Sequence, residues 1–210
     1  MAAKHINEAL TKHGDNRYVV DLWAQISSKR RDEATARKAL DRLELIGVPL
    51  FFYHRLSRVE LAFGNIQKAR DAAWQAVQQT EDPPFEVLAQ LVHCDIELKK
   101  LDEANEMLIR MDRGFKNVRR DIRIGLWCRL EIAREHYSDA LSQSERILDK
   151  NSVFYKAIRR GAIAGELKNT ALTDKTRIAY SDELIALNKD LFGITDDRLI
   201  PAEMDSLFRE

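Results

Sequence analysis

Alanine stands at positions 36, 69, 104 and 140, at intervals of 33, 35 and 36 residues, and its surroundings recur with it. Thirteen residues before each alanine stand Trp23, Leu56, Leu91 and Trp127; sixteen before stand Val20, Tyr53, Leu88 and Ile124. Four after come Leu40, Ala73, Leu108 and Ser144, and seven after come Leu43, Ala76, Met111 and Ile147. Of these flanking positions Ser144 alone is polar. A period near 35 residues, with apolar positions spaced by three and four, marks a helical repeat. An isolated helix gains more from a larger side chain than from alanine. Alanine opening the second helix of each unit therefore predicts close backbone approach by a neighbouring helix.

The punctuation keeps the same period. Gly47 with Pro49, Pro83 with Pro84, and Gly114 fall between units. Proline is tolerated in a first helical turn, where its missing N–H has no intrahelical partner. Gly64 falls between the two helices of one unit, where a helix end readily takes positive φ. Each unit reads as two helices of about 12 to 15 residues, and no segment alternates as a strand does. The class is all-α.

The pattern resembles the tetratricopeptide repeat (TPR), a helix–turn–helix unit of about 34 residues. The resemblance rests on the bulky residue of the first helix (Trp23, Leu56, Leu91, Trp127) and on the turn anchors Ile66, Leu101 and Tyr137. The small residue opening the second helix (Ala36, Ala69, Ala104, Ala140) completes it. There are departures: Val92 replaces the small residue that follows the bulky one, Glu33 is a polar anchor, and the glycine between helices survives at Gly64. The resemblance covers about residues 15 to 152. It implies a right-handed α-solenoid of stacked antiparallel helix pairs whose first helices line a concave groove. Repeats are expected at about 17–47, 50–82, 85–116 and 119–152. A capping pair is expected at 153–192, with its last helix capped by Thr173 or Asp174, and a tail at 193–210 with a short helix from Pro201 to Arg209. A first helix at about 2–13 turns Ile6, Ala9 and Leu10 to one side.

Composition bears against several classes of function. Lys plus Arg and Asp plus Glu are 34 each, so no net field draws nucleic acid or anionic lipid. No apolar run approaches the roughly 18 to 20 residues of a membrane span, and the N-terminal stretch lacks an apolar signal core. Two cysteines, Cys94 and Cys128, suit a reducing compartment as small buried apolar residues. The expected location is cytoplasmic. The five histidines form no HxxxH pair, and no CxxC, GxSxG or phosphate-binding glycine loop occurs. No metal, cofactor or catalytic residue is expected, and the chain reads as a non-enzyme.

The resemblance implies that residues two before and two after the bulky position face the groove. These are Asp21 and Gln25, His54 and Arg58, Ala89 and His93, Gly125 and Arg129, then Arg159 and Ile163. His54, Arg58, His93, Arg129 and Arg159 make a mostly cationic stripe, with small Ala89 and Gly125 leaving room and Phe51 and Ile122 adding apolar contact one turn earlier. Asp21, Glu86 and Glu97 stand near enough to neutralise part of it. The expected function is a protein-interaction scaffold that binds a peptide or partner segment in this groove. An acidic or C-terminal carboxylate would pair there with arginine. Two alternatives stay open: a sensor or oligomerisation module of a larger protein, as a homo-oligomer for instance, and a helical repeat that reads single-stranded RNA. The balanced charge argues against the RNA reading.

Overall fold

The computed structural model describes residues 2–116 and 118–193. In chain order its helices are α1 (Ala2–His13), α2 (Arg17–Lys29), α3 (Glu33–Leu45), α4 (Pro49–Ala62), α5 (Ile66–Gln78) and α6 (Phe85–Glu97). They continue with α7 (Leu101–Gly114), α8 (Arg120–Ala133), α9 (Tyr137–Ser144), α10 (Val153–Glu166) and α11 (Asp174–Phe192). Among the described residues there is no strand. The helix expected from Pro201 to Arg209 lies outside them. The chain divides into two compact units, one running through Leu98 with α1 to α6 and one from Lys99 with α7 to α11.

Polar side chains start the helices where their oxygens reach back. Asn16 Oδ1 accepts from the N–H of Tyr18 at 2.9 Å, and Asp32 Oδ1 accepts from Thr35 at 3.0 Å. Ser152 caps α10 through Tyr155, and Thr173 rather than Asp174 caps α11 through Thr176, both at 3.2 Å. Each satisfies one of the donors that a helix N-terminus leaves without an internal partner. Pro49 occupies the first turn of α4.

The four recurrent alanines are all at 0% exposure. In the first unit Ala36, Ala39 and Leu40 of α3 pack with Ala24 of α2 and Val59 of α4. Trp23, Phe52, Leu56 and Phe63 close over them. Ala69 of α5 packs with Leu61 of α4 and Cys94 of α6, beside the anchor Ile66. In the second unit Ala140 lies among Ile124, Cys128, Ile147, Ile158, Ala162 and Leu184. Burial pushes both cysteine thiols up to about 12, as expected of inert core residues.

The turn between paired helices has one shape, whatever its residue. Five positions before the alanines stand Arg31, Gly64, Lys99 and Glu135, and all four have positive φ, at 59°, 80°, 58° and 65°. The next N–H folds back onto the carbonyl five residues earlier: Asp32 onto Ser27 (3.0 Å), Asn65 onto Glu60 (2.9 Å) and His136 onto Glu131 (2.9 Å). This is the Schellman closure of a helix C-terminus, which leaves one residue left-handed. Three of the four turns place a side chain where glycine fits without strain.

Helix α9 is shorter than expected, at eight residues. Ser144 is buried and turns its hydroxyl back to the carbonyl of Leu141 at 2.7 Å, an alternative to continuing the helix. Lys150 Nζ meets the carbonyl oxygen of Glu145 at 2.8 Å, and Asp121 Oδ2 accepts from the N–H groups of Leu148 and Asp149 at 3.1 and 3.2 Å. The segment after α9 is thus held without helical bonds, and Ile147 still reaches the core at 1% exposure.

Glycines inside helices fall into two kinds. A Cβ on Gly165 would collide with the Tyr137 ring, and one on Gly125 would collide with the Phe154 ring. A Cβ on Gly161 would rest 3.6 Å from Ile132 Cδ1, an ordinary contact. Gly161→Ala should therefore stabilise the protein by up to about 1 kcal/mol through helix propensity. Gly165→Ala should destabilise it by about 1–3 kcal/mol through overpacking. Urea denaturation of both variants checks the pair, and equal shifts would refute this packing. Glu135→Gly is expected to raise stability by roughly 0.5–1 kcal/mol, because it relieves a left-handed side chain at an exposed turn. The same denaturation assay reads it, and a loss would mean that Glu135 makes a contact worth more than the strain.

Candidate functional site

In the first unit the expected inward positions fall at matching register on three helices. One turn before the bulky residue α2, α4 and α6 carry Tyr18, Phe51 and Glu86. The next row holds Asp21, His54 and Ala89, and the last holds Gln25, Arg58 and His93. The first row is in contact across helices: the Tyr18 and Phe51 rings meet edge-on, with centroids 5.8 Å apart and planes at 84°. The Arg17 guanidinium lies over both rings, 4.8 Å from Tyr18 and 5.7 Å from Phe51. Tyr18 is 61% exposed, while Phe51 is half-buried.

The middle row holds an ion pair that the expected stripe did not include. Buried Arg55 of α4 grips Asp21 of α2 with both arms of its guanidinium, Nη2 to Oδ2 at 2.7 Å and Nε to Oδ1. Asp21 is therefore committed to Arg55. His54 is half-buried beside them, and its pKa falls to about 4. Burial is the main cause, and the positive charges of Arg58 and Arg55 add to it against the opposing pull of Asp21 and Glu86. At neutral pH the imidazole carries no charge.

Arg58 forms the cationic end of this face. It is exposed, and among the described residues it makes no ion pair or hydrogen bond. The crowding of protein atoms, first, and the charge of Arg55, second, lower its pKa, an effect that Asp21 and Glu86 partly offset. Arginine is too basic for this to discharge it, and the group stays charged.

The other members of the stripe are placed differently. His93 is buried on α6 at 6% exposure and Arg129 is buried on α8 at 9%. Arg159 of α10 binds Glu183 of α11, with Nη2 to Oε2 at 3.1 Å and a second arm on Oε1, and also binds Glu145. Its pKa is raised, chiefly by the Glu183 hydrogen bond. The Phe154 ring takes the room that Gly125 leaves, and Ile122 is 37% exposed. The cationic face that water reaches in the first unit is therefore built on Arg58, flanked by neutral His54 and the Tyr18–Phe51 platform.

A column of buried polar residues outside the expected stripe also keeps the repeat. Nine positions before the alanines stand Ser27, Glu60, Asp95 and Glu131, all buried. Arg37, one residue after Ala36, binds Glu60 (Nη2 to Oε2 at 3.0 Å), and Arg70, one after Ala69, binds Asp95 at 2.6 Å. Asn65 also donates to Glu60 at 2.8 Å. Glu131 takes His136 Nδ1 at 2.9 Å and Arg134 at 3.4 Å instead. Glu131, His136 and Asp139 bring ligand atoms within 4.8 Å of one another, yet Glu131 is already engaged in closing its turn. Periodic acids at buried register were the available signal. They serve the architecture.

No family model matches the sequence, and no curated protein matches it. Among solved structures the crystal structure of YrrB, described as a TPR protein with an unusual peptide-binding site, superposes with a TM-score of 0.58. The two are 14% identical, over 88% of this chain and 93% of that one. The likeness shows the fold: an all-α chain of paired helices of the TPR, α-solenoid class. No helix among the described residues is long and apolar enough to cross a membrane.

Because burial leads the causes of its shift, His54 should titrate with a midpoint near 4 rather than near 6.5. A folded-state pKa below the unfolded one stabilises the protein fully above about pH 6.5 and loses that contribution as pH falls through about 4. An NMR titration of the His54 ring checks this, together with its upward movement in Arg58→Gln. A midpoint near 6.5 in the native protein would contradict the geometry.

Proposed function

We propose that this chain is a protein-interaction scaffold that binds a carboxylate-bearing peptide segment on the face built by α2, α4 and α6. The observation that carries the reading is Arg58. Arg58 is exposed as a residue, and its partly desolvated guanidinium makes no ion pair among the described residues, whereas neighbouring Arg55 is locked to Asp21. A guanidinium offers paired donors that match a carboxylate, and in a partly desolvated hollow such a pair is stronger than in open water. Neutral His54 adds no competing charge, and half-buried Ala89 keeps the neighbouring wall low. The shared fold with a TPR protein described as having a peptide-binding site supports a peptide as the class of ligand.

Other expected groove residues enter this reading in different roles. His93 borders the same row from α6, where its burial makes it a wall. Arg129 and Arg159 of the second unit are buried and ion-paired respectively, so reversing either charge would threaten the fold before it tested binding.

An immobilised array of acidic, neutral and basic decapeptides provides the test. The native protein should retain acidic members, Arg58→Glu should lose at least about tenfold in affinity for them, and Arg58→Lys should keep part. Retention unchanged by Arg58→Glu would remove the site from this face.

A further inference from the structure

The Arg58 face has a second recognition element at a fixed distance, and the distance sets a spacing in the ligand. Phe51 and Arg58 are seven residues apart on α4, so they share one side of that helix and are separated by about 10.5 Å along it. His54 lies between them on the same side and carries no charge at neutral pH. At the Phe51 end the partly exposed rings of Tyr18 and Phe51 meet edge-on, and Arg17 lies over them. That end offers apolar surface and a cation suited to an aromatic face. At the other end Arg58 offers a guanidinium without a partner among the described residues. The lateral boundary on the α2 side is closed by the Asp21–Arg55 pair, which spends both charges on each other.

A short unstructured segment spans this track in three residues. Polyproline II backbone rises about 3.1 Å per residue and repeats every third residue, so side chains three apart lie on one side, about 9.3 Å apart. The swing of the long arginine side chain covers the remaining distance of about 1 Å. In a flat β-strand, side chains three apart point to opposite faces, and those two apart reach only about 7 Å. A helical ligand would need a spacing of seven and would have to form its helix first, an ordering cost that a segment already extended does not carry.

Resting on the peptide-binding reading above, we infer that this face selects segments with an aromatic side chain and a carboxylate offset by three residues. The aromatic group sits on the Tyr18–Phe51 platform and the carboxylate pairs with Arg58. This pattern gives the site a specificity beyond acidity, because charge alone would accept any spacing.

Fluorescence polarisation with labelled Gly–Ser decapeptides tests it, each peptide carrying one Phe and one Glu at offsets of two, three, four or seven, in both orders. The offset-three peptide, in one or both orders, should bind about tenfold tighter than the rest. Arg58→Gln should remove about tenfold for that peptide and leave its Glu→Gln version unchanged. Tyr18→Ala should weaken the Phe peptide several-fold and leave its Phe→Ala version unchanged. Both side chains are exposed, so these truncations leave the core intact, and unchanged helical circular dichroism confirms it. Tightest binding at two, four or seven overturns the inference. So does equal binding at every offset with Arg58 dependence retained, in which case the peptide-binding reading survives without the spacing rule. Failure of every peptide, alongside failure of the acidic array, removes both.

Discussion

Close approach of helices at a residue with nothing beyond Cβ is the constraint on which each unit depends. Ala36, Ala69, Ala104 and Ala140 have no accessible surface, and the residues at three- and four-residue steps from them fill the core on either side. A larger group would push the second helix away from its neighbours and open gaps along its whole length, because interiors pack near crystal density. The turn that precedes the alanine is fixed by the same geometry. With five residues from the left-handed position to the alanine, the entering helix must reverse within that distance, and the Schellman bond is how it does so. Arginine, lysine and glutamate accept the left-handed conformation there since the reversal permits nothing else.

Charge is arranged around that frame rather than spread over it. The equal numbers of acidic and basic residues give no net field, but they are not idle. Arg37 with Glu60, Arg70 with Asp95, Arg55 with Asp21, Arg123 with Asp112 and Arg159 with Glu183 are pairs made inside one unit or the other. Two of these acids, Glu60 and Asp95, are buried. Their carboxylates hold their positions because an arginine answers them, and removing one partner of such a pair costs about 3–5 kcal/mol. Among the described residues Arg58 shares its exposure and its lack of an ion pair with Arg30, Arg113, Arg120 and Arg146; what sets it apart is its place on α4, seven residues after Phe51 and beside the Asp21–Arg55 pair.

The fold was legible because its signal is side-chain size at a fixed period, a property that each residue carries by itself. Trp23 and Trp127 fell into place as packing residues. Trp23 covers the α2–α3 core, and the Trp127 indole N–H finds Asp112 at 3.0 Å. The shortened α9 was less legible, since one buried serine among apolar residues tips the balance only when its hydroxyl finds the Leu141 carbonyl. The glycine signature of the turn was lost at three of four places, because strain tolerated by the packing leaves no mark in composition. Helix projection puts His54, Arg58 and Arg159 at the register expected to face inward on their helices. It could not tell that Arg55, one residue aside, takes Asp21, nor that Glu183, twenty-four residues on, takes Arg159. Pairing depends on what stands across the gap, and only folding sets that.

The same locality would link the proposed binding of a carboxylate at Arg58 to the protonation of His54. Two influences hold the imidazole neutral: burial, which is the larger, and the fields of Arg58 and Arg55, with Asp21 and Glu86 pulling the other way. A carboxylate that pairs with Arg58 cancels one of those fields and brings a negative charge beside the ring, so it raises the proton affinity of His54. By linkage a protonated His54 would favour the carboxylate in return. Burial is untouched by an Arg58 pair as long as the ligand adds no water, and it deepens if the ligand covers the ring. The coupling therefore acts below neutral pH. It would strengthen the proposed capture as pH falls below the ordinary histidine range, until the ligand carboxylate itself takes up a proton near pH 4, and would leave capture at neutral pH to Arg58.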